Sequence, residues 1–266
     1  MLSIIKKEFK LSSKSLFLWS LVLVLTATMG ALEYPLVFKN TDMVMSGINA
    51  IPRIVQIMFG VDGLDFSTAL DYYITMYYYY YTLIAFLFAA NQGYKIIKKE
   101  EKYKTSEFLY TKPVSRKTII LSKIIVGLTN VFILATVTAL TSLLILLPLI
   151  EATYLSKTIL VTISGMFFAQ IVFFSVGVLS AAITRKNMYG QILTYGFVLL
   201  SYTLSMVIQY FQRIDFLNFL TPFQYFPVNE VAHSGLSFIY IILALGLSFV
   251  LLFVAMKKYK TKDLYI

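Results

Sequence analysis

Cysteine is missing from all 266 residues, so neither a disulfide framework nor a thiolate metal site is open to this chain. Histidine occurs once, as His233, read as a loop residue; one histidine excludes a histidine-based metal site and a histidine-centred triad. Acids are scarce, 13 Asp and Glu against 23 Lys and Arg, and none falls inside a long apolar run. Ion-coupled carriers and intramembrane aspartyl proteases need a carboxylate at depth, where a charge is costly and persists only for function. G-x-x-x-x-G-K-[ST] is also absent, so the chain does not hold ATP through a P-loop. These absences argue against an enzyme, a proton-driven carrier and any metal or cofactor site in this chain.

Apolar residues are what it has. They make up 59% of the chain, above the ~45–50% of soluble domains, and mean hydropathy is +0.77. A bilayer core takes roughly 20 apolar residues as a helix. Six runs qualify, at about 16–32, 73–93, 119–150, 159–183, 189–211 and 236–256. The expected fold is all-α, a single polytopic membrane domain over 1–266. The third run is too long for one upright span, so it tilts or leaves the hydrocarbon.

Residues 1–15 precede the first run with Lys6, Lys7, Lys10 and Lys14, while Leu2, Ile5 and Phe9 recur at helical spacing. A cleaved signal peptide is disfavoured, because the run is long and no clear A-x-A site follows. The pattern suits an amphipathic helix in the membrane surface; a plain basic leader would explain the lysines as well.

Nineteen of the 23 basic residues sit on one side of the expected spans, and Lys39, Arg53, Lys157 and Arg213 on the other. The positive-inside rule then places both termini in the cytoplasm. The net charge of +10 is read as orientation in a membrane, with no nucleic-acid partner expected.

The most charged stretch, KKEEKYKTSEFLYTKPVSRK, joins the second and third runs. Lys98 to Lys104 favour helix with mixed sign. TSEFLYT then offers a short helix with Phe108 and Leu109 as apolar anchors. Pro113 ends it, and Ser115 can cap the next helix. Such a stretch presents acids and aromatics to a cytosolic partner, or serves only as a solvated, orienting loop.

EEKYKTSEFLYTKPVSRKTIILSKIIVGL resembles the cytoplasmic loop of type-2 ABC export permeases, with Glu100, Glu101, Thr105, Glu107, Leu109, Pro113, Ser115, Arg116 and Lys123 at matching positions. Lys104 departs from it, standing where the family often has Gly. FLNFLTPFQYFPVNE, residues 216–230, resembles the family's Pro-Phe-x-Tyr-Phe element before the last span. The resemblance implies a permease of a bacterial cell membrane that pairs with a second permease subunit, the same or homologous. Two separate ATP-binding subunits, which hold ATP and Mg, would dock beneath. Glu100, Glu101, Thr105, Glu107, Phe108, Leu109, Pro113 and Arg116 would couple to the ATPase, and amphipathic or hydrophobic cargo (peptide, lipid or drug) would leave between the permeases. The alternative is a membrane-embedded enzyme or assembly factor whose basic loop only sets topology.

Tyr72, Tyr73 and Tyr77 to Tyr81 crowd the outer end of the second run. They read as an interfacial aromatic belt among lipids, or as a pathway face with Tyr73, Tyr77 and Tyr80 toward cargo. Gly165/Ala169 and Gly177/Ala181 allow close helix packing within the bundle, or a dimer seam. The acid-rich segment 33–72 reads as a solvated outer loop. Thr221 and Pro222 read as the start of a short re-entrant or interfacial helix.

Overall fold

A computed structural model describes residues 1–64, 66, 68–103, 114–146 and 153–261 of the chain. All regular structure among them is helical. Five helices are long and apolar enough to cross a membrane: α1 (Leu2–Lys39), α6 (Arg116–Leu146), α7 (Thr153–Ile183), α8 (Asn187–Phe211) and α10 (Phe238–Thr261). The sixth expected span, 73–93, is helical but does not meet that measure. It begins as α4 (Ala69–Tyr72), widens into a π-helical segment (Tyr73–Tyr79) and continues as α5 (Tyr80–Lys102). Asn91 and Gln92 lie within α5, and its last turns carry the KKEEK charges, which lowers its hydropathy. Both amides are buried. The polarity of α5 therefore faces protein.

α7 is the axis of the bundle. Two thirds of its apolar stretch is buried (67%), against 17% for α10 and 22% for α1. α5, α6, α8 and α10 all pack on it, and α1 packs along α6. Close approach of α5 and α7 depends on paired glycines. A Cβ at Gly177 would collide with the Ala90 carbonyl, and one at Gly93 with the Phe174 carbonyl. A Cβ at Gly165 would press on the side chains of Phe226 and Leu236. The small residues on α7 thus serve packing within the chain.

At its N-terminus the helix expected at residues 1–15 forms, but it is continuous with the first span in one 38-residue helix. Of its expected apolar face, Ile5 packs against the core. Leu2 (75% exposed) and Phe9 (37%) point away from the bundle, while Glu8, Leu16, Leu23, Ala27 and Gly30 are buried. The lysines of this segment remain exposed.

Segment 33–72 is more ordered than a solvated loop. α1 continues through Pro35 to Lys39, and α2 (Thr41–Ala50) and α3 (Arg53–Phe59) follow. Ile57, Val61, Leu64 and Phe66 bury themselves here, which supplies the apolar anchoring the segment needs. α3 ends at Gly60 with φ 71°, where Tyr79's ring leaves no room for a Cβ.

Before the last span come two 3-10 turns (Asp215–Leu220 and Pro222–Gln224) and α9 (Val228–Ser234). His233 falls in α9 and not in a loop. Pro222 occupies the first helical position as expected. Thr221 precedes it but spends its hydroxyl on the Ser201 carbonyl of α8 (2.7 Å), not on a cap. That bond and the burial of Tyr225 and Phe226 fix the segment against the bundle.

Candidate functional site: a buried charge cluster and a distant cavity

Ser115 begins the construction at the charged end. Its Oγ accepts the Thr118 N–H at 3.2 Å and caps α6, as its position predicts. Two turns on, Lys123 points back into the bundle and is completely buried. Its ammonium donates to both carboxylate oxygens of Glu100 at 2.6 Å and to the Ile96 carbonyl at 2.7 Å. Glu8 of α1 lies 3.8 Å from the same ammonium and pairs with Lys99. Two acids and two bases therefore close one neutral cluster across α1, α5 and α6.

Lys98 makes a second tie. It pairs with Glu101 and donates to the Thr184 and Arg185 carbonyls at 2.8 and 3.0 Å. Those carbonyls follow the end of α7, where unsatisfied acceptors favour a cation. Arg116 donates to the Lys260 carbonyl of α10 at 3.1 Å. Tyr94 reaches the Asn187 carbonyl at the start of α8 at 2.7 Å. Every long helix is thus fastened at this end.

Of the eight residues expected to couple to an ATPase, Glu100, Glu101 and Arg116 are described, and all three bond within the chain. Thr105, Glu107, Phe108, Leu109 and Pro113 lie outside the described residues. Sequence reading passed over Glu8 and Lys98. The signal for Glu8 was its isolation as the one acid among four lysines.

Some 20 residues of helix along α5, roughly 30 Å away at 1.5 Å per residue, lies a cavity of about 590 Å³. The π segment, α3, α5, α7, α8 and the 212–230 segment line it, and it opens to the surface beside the exposed Gln209, Asp215 and Glu230. The Tyr79 and Tyr202 hydroxyls lie within hydrogen-bond reach of each other and of the Met58 carbonyl, Tyr202 at 2.9 Å; with one proton each, they make two of these three bonds at a time. Among the expected pathway tyrosines, Tyr73 is fully buried and bonded to Thr162 at 3.0 Å. Tyr80 is half-buried, edge-on to Tyr79. The side chain of Tyr77 lies outside the described residues. Tyr72 and Tyr81 are also buried, so these rings face protein and not a lipid belt. Single-turn π segments inside helices frequently mark functional sites, and this one places Tyr79 in the cavity wall.

A bundle of long apolar helices, clamped by ion pairs at its basic end and hollow at the other, has the build of a multi-pass membrane protein. Residues 2–264 match the family model described as ABC-2 family transporter protein, and the chain belongs to that family. It is accordingly the membrane permease subunit of an ABC transporter, a transport subunit and not a catalytic one, working with ATP-binding subunits. No curated protein matches the chain.

Proposed function

We propose that the chain is the pathway-forming subunit of an ATP-driven exporter in a bacterial cell membrane. It acts as a pair of permeases above two ATP-binding subunits, with both termini cytoplasmic and ATP and Mg held by the partners. The observation that carries this reading is the buried Glu8–Lys99–Lys123–Glu100 cluster. It sits at the root of the stretch whose Thr105, Glu107, Phe108, Leu109 and Pro113 are the proposed docking residues. A push on that stretch by closing ATPases arrives at the end of α5. Ion pairs bind that end to α1 and α6, so the three helices move as one body; a loose end would dissipate the stroke. Glu100 and Glu101 act as anchors of the lever, while Phe108 and Leu109 meet the partner. Cargo is amphipathic or hydrophobic, in keeping with a bundle that buries no carboxylate at mid-depth among its described residues.

Phe108→Ala tests the docking role. An interfacial anchor of this kind contributes about 2 kcal/mol, so affinity for the ATP-binding subunit falls roughly 30-fold. Membrane levels stay normal, and co-purification and export fail. Undiminished export by Phe108→Ala and Glu107→Lys would reduce the stretch to a charged tether. Orientation is checked separately: a cysteine at Ser3 resists an impermeant thiol reagent in intact cells, and one at Ser46 reacts.

A further inference from the structure

The cavity at the far end of α5 has a definite chemical character. Its volume, about 590 Å³, lies within the ~300–1,000 Å³ of small-ligand pockets. Phe86, Phe223 and Tyr202 form an aromatic wall, with centroids 4.8 Å apart for Phe86–Phe223 and 5.5 Å for Tyr202–Phe223. Three carboxylates line it, Asp62, Asp215 and Glu230, and no Lys, Arg or His does among the described residues. Asp62 is neutralised by Arg53 at 3.2 Å, a pair that also holds the guanidinium firmly protonated through its hydrogen bond and charge. Asp215 and Glu230 have no ion-pair partner among the described residues. Asn218 lines the same space, and its side-chain oxygen, shielded from solvent, has no hydrogen-bond partner there either.

Apolar rings, two uncompensated negative charges and an unsatisfied acceptor ask for a single kind of guest. We infer that this cavity is a binding site for organic cations with an apolar or aromatic body. The body packs on Phe223 and Tyr202, whose ring faces also attract cations, with the buried Phe86 behind them. The positive group lies toward Glu230 and Asp215, and an N–H donor, where the guest has one, satisfies Asn218. Anionic amphipaths meet the carboxylates and are refused. The inference deepens the transport reading by naming a cargo class. It is tested on the permease without its ATPase, so failure of the site and failure of the exporter reading stay distinguishable.

The probes are tetraphenylphosphonium and tetraphenylborate, near-identical in shape and opposite in charge. Binding to the full chain in zwitterionic nanodiscs is measured by equilibrium dialysis, with empty nanodiscs subtracted. The phosphonium binds saturably, and the borate shows no saturable component. Asp215→Asn with Glu230→Gln, both at exposed side chains, weakens phosphonium binding at least tenfold. Gln209→Trp, which fills the cavity from an exposed lining position, abolishes it. Asp42→Asn, an equal charge removed from α2 outside the lining, leaves it unchanged. Melting temperatures within a degree or two of the parent establish that the variants are folded. Equal affinity for the two probes, or phosphonium binding indifferent to both the carboxylate pair and Gln209→Trp, would overturn the site.

Discussion

The two ends of α5 are held by different physics. At Lys98–Glu101 the helix is locked by buried ion pairs to α1 and α6 and by ammonium–carbonyl bonds beyond the end of α7. At Tyr79–Phe86 it borders a cavity, and neutral hydroxyls join it to α3 and α8. Charged hydrogen bonds in a dry interior are about twice as strong as neutral ones and more costly to break. One end is therefore suited to carry force without yielding. The other can be rearranged at small cost, which is what a ligand-admitting end requires.

The largest effect is expected where the locked end is broken asymmetrically. Lys123→Met leaves Glu100, whose side chain is only 13% exposed, without its cation, and losing one member of a largely buried pair costs up to about 3–5 kcal/mol. Thermal unfolding of the detergent-purified chain should show a large drop, with reduced membrane levels. Removing both partners, Lys123→Met with Glu100→Met, restores most of the loss, because Glu8 retains Lys99 and the apolar pair fills similar volume. A double variant as unstable as the single one would mean that packing around Lys123, not charge pairing, holds this end.

Between the two ends lies the glycine crossing, with the next largest effect. Gly177→Ala drives a methyl into the Ala90 carbonyl, and backbone cannot move aside as a side chain can. Overpacking of this kind costs about 1–3 kcal/mol. Melting temperature falls, and pulling α5 from α7 disturbs both ends together. A neutral outcome would mean the helices have slack at their crossing, and the contrast between a rigid end and an adaptable one would lose its common axis.

The apolar spans were legible because run length and hydropathy are local properties. Residues 153–183, 187–211 and 238–261 form helices whose described cores coincide with the expected runs. Ser115 and Pro222 were legible because capping and proline chemistry act within a few residues. Glu8 was not: its burial depends on Lys99 and Lys123, more than 90 positions away, and its neighbours pointed to a lysine-rich surface. The tyrosine run hid its own orientation. Consecutive rings cover every side of a helix, and the π turn shifts the register that periodicity assumes. Segment 33–72 misled for another reason: its separate helices, α2 and α3, run only ten and seven residues, too short to stand out as periodic runs, so only their anchors in the fold reveal them.

The smallest effect, and the finest test of the adaptable end, concerns Tyr79 and Tyr202. Both hydroxyls lie within reach of the Met58 carbonyl, near the end of α3, and of each other, so one donates to the carbonyl and the other to the carbonyl or to its neighbour. Either one suffices to satisfy that carbonyl. Tyr202→Phe or Tyr79→Phe alone should therefore cost no more than about 0.5 kcal/mol, the low end for a neutral hydrogen bond. Removing both leaves the carbonyl without either donor, so the double variant should lose about 1 kcal/mol more than the two singles together. Thermal unfolding gives the energies, and limited proteolysis within 53–64 reports whether α3 loosens. Strict additivity would show that the hydroxyls act independently and that α3 is held by its apolar anchors alone. Coupling would make the tyrosine pair one latch, able to release α3 when a bound cation draws a ring away.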